Sequence, residues 1–137
     1  MGYLRRMQEK PFYTIPDPKE ELNATNTIAR FVDALGFRYR WATEGLTESE
    51  FNFRSVDSSM NMHELLAHVY DLSNWINQTF LGPEMSERPE SPEALISGTL
   101  QHLSEAGTRL KELNDSDFDS FKGQFKNGKG EIDIWYF

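Results

Sequence analysis

Residues 62–76 read "MHELLAHVYDLSNWI", and the spacing of their apolar side chains decides the fold class. Leu65, Leu66, Val69, Leu72 and Ile76 recur at threes and fours, the period of one helix face, and Met62 and Phe80 extend the stripe in both directions. Asn61 precedes the stripe, and Glu64 follows it by three residues, the spacing of a capping box. "LGPE" supplies the stop, with Gly82 past the last turn and Pro83 forbidding continuation. The spacing therefore predicts a helix over 61–81. His68 lies on the flank of the apolar stripe, between Leu65 and Leu72.

Two further segments carry the same period. Upstream, Leu22, Ile28, Phe31, Val32, Leu35, Tyr39, Ala42 and Leu46 predict a first helix over 20–46. Its stop is "WATEGL", in which Gly45 can adopt a left-handed conformation as the C′ residue while Leu46 folds back on Trp41. Downstream, Ser91 as N-cap, Pro92 at the first helical position and Glu93 near the positive dipole end open a third helix over 92–114. Leu95, Thr99, Leu103, Ala106, Leu110 and Leu113 form its face. Short connections between three amphipathic helices predict an all-α, up-and-down antiparallel bundle. Its expected core is Phe31, Leu35, Leu65, Val69, Leu72, Leu103 and Leu110, with Phe51 and Phe53 of the connector pinned to it.

The flanks differ in character. Residues 1–18 contain Pro11, Pro16 and Pro18 and read as an extended preamble, leaving 19–137 as the bundle domain. At the other end, Asn127 and Gly128 mark a turn, and Ile132, Ile134 and Trp135 are apolar enough to cover something. A chain closing on three aromatics leaves apolar surface exposed, so the expectation is that the sequence stops before the fold does.

Composition narrows the function. A single domain of 137 residues can bury a real core, and a formal charge of -8 disfavours nucleic acid or an anionic membrane as partner. Arg5, Arg6 and Lys10 are too few to reverse that. No stretch has the length of a membrane span and residues 1–17 hold no signal-peptide apolar region, so the expected location is cytoplasmic. The absence of cysteine excludes disulfides, thiolate nucleophiles and zinc fingers.

Among ionisable residues, His68 is either a boundary histidine or a metal ligand. His63 cannot assist it from the same helix, because five residues turn the chain by about 500° and leave the side chains roughly 140° apart. It reads as a solvent-facing first-turn residue, and His102, beside Thr99 and Ala106, as a boundary histidine that could also face the interior. No glycine-rich phosphate loop or Ser-His-Asp spacing is present, and Tyr39, Trp41, Tyr70 and Trp75 read as packing rather than as a ligand box.

"GFRYRWATEGLTESEF" followed by "ELLAHVYDLSNWI" resembles the DinB/YfiT-like bacterial proteins, in particular an uncharacterised branch with a similar "WATEGL" block; the likeness runs from about Asn26 to Phe137. The resemblance implies a four-helix bundle with a divalent metal, nickel or zinc, held by three histidines, one from helix two and two from helix four. His68 matches the helix-two ligand. A segment resembling "GEIDIWYF" leads into helix four in that family, so the resemblance implies a bundle that is C-terminally incomplete here, with helix four absent and no tight metal binding by this chain. The function it implies is a metal-dependent enzyme, a thiol transferase or hydrolase acting on a small molecule. The alternative is a non-catalytic helical module that forms a homodimer or binds a partner through its open bundle face.

Overall fold

The computed structural model describes residues 10–82, 86–124 and 130–133. Three long helices carry it: α1 (Ala24–Thr43), α3 (Met62–Leu81) and α4 (Pro92–Leu110). Two single-turn helices, α2 (Glu48–Phe51) and α5 (Asp115–Phe118), follow α1 and α4, and β1 (Lys122–Gln124) pairs antiparallel with β2 (Glu131–Asp133), Gly123 opposite Ile132. Asn127, Gly128, Ile134 and Trp135, read above as a turn and a cover, lie outside the described residues, as does Pro83.

The predicted start and stop signals act as hydrogen bonds. Asn61 Oδ1 accepts the Glu64 amide at 2.8 Å and Glu64 Oε2 accepts the Asn61 amide at 2.7 Å, so the capping box satisfies two otherwise unpaired donors. Ser91 accepts from the Ala94 amide at 3.2 Å, with Pro92 at the first turn of α4. Gly45 adopts φ +77 immediately after the α1 C-cap Glu44. Leu46 packs against the larger apolar cluster, and Trp41 instead meets Tyr13 and Phe37.

Helix boundaries differ from the sequence reading at three ends. α1 begins at Ala24 rather than 20, because Asn23 is its cap, accepting from the Asn26 amide at 2.8 Å, and Leu22 is left 91% exposed. The Asp115 carboxylate adds a second cap from across the fold, accepting from the amides of Ala24 (3.3 Å) and Thr25 (3.0 Å). At its other end α1 stops at Thr43, as Glu44 turns extended ahead of Gly45. α4 ends at Leu110, four residues early, since Asn114 is committed to capping α5.

α4 is the shared partner: α1 and α3 each pack along it and make almost no direct contact with one another. Two clusters fill the joints. One gathers Phe12, Phe51, Leu66, Tyr70, Leu95, Ile96, Leu100 and Leu103. The other gathers Ala29, Phe80, Ala106, Leu110, Leu113 and Phe118, with Phe80 stacked on Phe118 at 6.1 Å.

The expected core is right for α4 and wrong for much of α1 and α3. Leu103 and Leu110 are buried and Val69 half-buried, but Phe31 (72%), Leu35 (54%), Leu65 (44%) and Leu72 (44%) are exposed. Phe51 is buried as expected, whereas Phe53 points outward. The reason is the ridge α1 turns toward α4. It is Thr25, Ala29, Asp33, Gly36, Arg40 and Thr43, small or polar residues that an apolar pattern does not register. Phe31 lies about 160° around the helix from Asp33. Polar members of the ridge are paired: Lys111 Nζ meets Asp33 Oδ2 at 2.6 Å and Thr25 Oγ1 donates to the Leu113 carbonyl at 3.1 Å.

Two stability measurements check this packing. Leu110→Ala, at a wholly buried site, is expected to cost about 2–5 kcal/mol in urea denaturation, whereas Leu72→Ala should cost about 1 kcal/mol or less. Equal losses would place Leu72 in the core. Gly45→Ala has open space for its methyl group, so its expected loss of about 1 kcal/mol comes from the left-handed backbone alone; a stabilised variant would remove the cap.

Candidate functional site

His68 stands exposed on α3, about 60° around the helix from Leu65 and 40° from Leu72, at the border of the apolar stripe that the fold leaves open. On α1 the corresponding stripe is Phe31 and Leu35. Each stripe continues outward from half-buried residues at the edges of the two clusters, Ile28 and Tyr39 on α1 and Met62 and Ile76 on α3. α1 and α3 each pack against α4, and few residues of the two approach one another directly. Four large exposed apolar side chains and one exposed imidazole are thus what these two helices offer a ligand.

The other two histidines are elsewhere. His63, read as solvent-facing, is half-buried; its ring Nε2 donates to the Glu90 carbonyl at 2.9 Å, tying the start of α3 to the approach of α4. It lines a shallow pocket of about 370 Å³ with Leu46, Glu48, Phe51, Pro92 and Glu93. The carboxylates there oppose an anion, and the two helix N-termini oppose a cation.

His102 is buried between α3 and α4, with Nδ1 at 3.0 Å from Ser73 Oγ and its ring 4.9 Å from that of Tyr70. Ser73 Oγ spends its own proton on the Tyr70 carbonyl, 2.9 Å away, and so accepts from His102 Nδ1–H. With the Nδ1–H tautomer this direction is the reverse of a Ser-His nucleophile, in which the imidazole accepts the hydroxyl proton. The contact joins two helices. Burial pushes the His102 pKa below the usual imidazole value, with Glu105 nearby acting in the opposite sense.

Polar side chains of α3 also hold the approach to α4. Asn74 donates to the Ser86 carbonyl at 2.7 Å and accepts its amide at 3.2 Å, while Tyr70 Oη donates to the Glu87 carbonyl at 3.2 Å. Sequence reading missed Ser73 and Asn74 because polar residues inside an apolar stripe register only as gaps in it.

Among the described residues no three His, Asp or Glu side chains converge as metal ligands, and His68 supplies a single imidazole. A nickel or zinc site of three protein ligands does not fit this set on its own. None of the helices among the described residues is long and apolar enough to cross a membrane. No protein-family model, curated protein or solved structure matches the chain.

The buried imidazole has a pH consequence. A depressed native pKa means that the unfolded state binds more protons below about pH 6.5. Stability from a neutral His102 is therefore fully present above that pH and declines as pH falls through the lower native value. Denaturation at about pH 7.5 and pH 5 should show a smaller acid loss for His102→Asn than for the parent chain; an identical loss would assign the acid sensitivity to other groups.

Proposed function

We propose that this chain is a helical interaction module whose open face, between α1 and α3, receives an amphipathic helix that completes a four-helix bundle. The observation that carries this reading is the exposure of Phe31, Leu35, Leu65 and Leu72 on two helices that share one packing partner. Apolar side chains of that size, held on rigid helices, favour a ligand that removes them from water. A helix presenting apolar residues at threes and fours has the shape of the cleft between two helices lying on a third.

A second reading is supported by the position of His68. An imidazole at the margin of the open face is placed to meet ligands brought by the incoming helix, which accords with the DinB/YfiT-like resemblance and its nickel or zinc enzyme. Metal chemistry then belongs to the completed bundle, with His68 contributing one donor.

The test is a double variant, Phe31→Lys with Leu72→Lys. The parent chain is expected to enhance the fluorescence of an apolar dye and to self-associate or capture an amphipathic helical peptide, all in light scattering and titration. The variant should lose these properties while its helical circular dichroism and melting temperature stay close to the parent's. Melting collapse of the kind caused by a core substitution would mean that the face is already packed, and unchanged dye and peptide binding would place the contact elsewhere. For the second reading, nickel and zinc titrations of the peptide-bound module are expected to weaken with His68→Ala. Equal affinity in both chains would return His68 to the role of a boundary histidine.

A further inference from the structure

Residues 10–16 lie as a strap on α1, gripped by side chains that face away from Phe31. Arg40 is fully buried, and its Nη1 donates to the carbonyls of Lys10 at 2.7 Å and Pro11 at 3.0 Å. Ten residues back along the helix, Arg30 Nη1 donates to the Pro16 carbonyl at 2.8 Å. Between these grips the Phe12 ring is 5% exposed and fills a notch that exists because residue 36 has no side chain: a Cβ on Gly36 would lie 2.5 Å from Phe12 Cε2 and Cζ. Tyr13 follows, its ring 5.6 Å from that of Trp41 and 5.5 Å beneath the Arg40 guanidinium.

These contacts have the form of peptide recognition. Guanidinium donors read main-chain carbonyls, which any segment offers, while a notch and an aromatic platform read two side chains. The strap contains no helix or strand of its own, and residues 17–22, which join it to α1, are exposed along their whole length. The link is a tether, and the docking energy resides in the strap. Phe12 sits at φ +64, a left-handed conformation unfavourable for an aromatic residue by about 1–2 kcal/mol, which the notch must offset.

We propose that this side of α1 is a docking groove for a peptide that turns at an aromatic residue directly after a proline, occupied in cis by residues 10–16. The tether holds the strap at an effective concentration of about millimolar, so a partner segment of the same chemistry competes when it is presented locally or binds more tightly. The groove is distinct from the open face between α1 and α3.

The experiment uses the full chain with a specific protease site placed in the exposed residues 18–21, cleaved after folding, together with a fluorescent peptide of residues 8–17. Saturable uptake of the peptide by the cleaved chain, with displacement of its own strap, is expected in polarisation measurements. The same peptide carrying Phe12→Ala should bind at least about tenfold more weakly, because the buried ring supplies most of the docking surface. This second peptide leaves the protein unaltered and separates loss of docking from loss of folding. Equal binding of the two peptides overturns the proposal. So does a cleaved chain that takes up no peptide, or one that loses its helical circular dichroism on cleavage, since the strap would then be part of the folding core rather than a docked segment.

Discussion

The structure depends on one helix serving two partners. α4 buries Leu95, Leu100, Leu103, Ala106 and Leu110, and α1 and α3 each pack along it rather than on one another. Close approach is bought locally by glycines. A Cβ on Gly98 would lie 2.5 Å from the Tyr70 ring on the α3 side, and one on Gly107 would lie 3.0 Å from Asp33 Oδ1 on the α1 side. With both flanks engaged, the apolar stripes of α1 and α3 have nowhere to turn but outward.

The polar ridge of α1 follows from the same constraint. A helix that packs against α4 through Thr25, Ala29, Asp33 and Gly36, with Ile28, Val32 and Tyr39 only half-buried beside them, also has its register fixed by specific bonds. The buried Asp33 ties it to Lys111 just past the end of α4, and Asp115 caps it from α5. Removing one partner of the Asp33–Lys111 pair would leave a charge buried without compensation, which is why such a pair fixes geometry more than it adds stability. Phe12 then supplies, from outside the helix, the apolar volume that Gly36 lacks.

This division explains what the sequence could reveal. Caps are local chemistry, so Asn61 with Glu64, Ser91 with Pro92, and Gly45 were legible from residue type and spacing. The register of α1 was not, because its apolar stripe meets the core only along the edge of Ile28, Val32 and Tyr39 while a ridge of small and polar residues faces α4, and a period of 3.6 cannot say which edge meets a neighbour. Phe12 was illegible for a similar reason: three prolines marked its segment as irregular, and only the notch at Gly36, 24 positions later, makes it core. His102 read as a boundary residue because Ser73, its hydrogen-bond partner, lies on another helix. His68 was legible as the flank of a stripe, but the stripe itself proved to be exposed.

The two sides of α1 therefore pose the same physical problem and meet it differently. On one side, residues 10–16 cover the α1–α4 joint with a ring, two arginine grips and a ring-on-ring contact, and Phe12 belongs to the larger cluster. On the other, Phe31 and Leu35 have no such cover among the described residues. A strap suits the first side because Gly36 leaves a notch one ring wide and the carbonyl grips hold a backbone that turns at Phe12. The second side carries large side chains on two helices, which an extended strand would bridge at few points and a helix would cover along its length. The kind of cover each side accepts is set by the side chains at its floor, glycine on one and leucine and phenylalanine on the other.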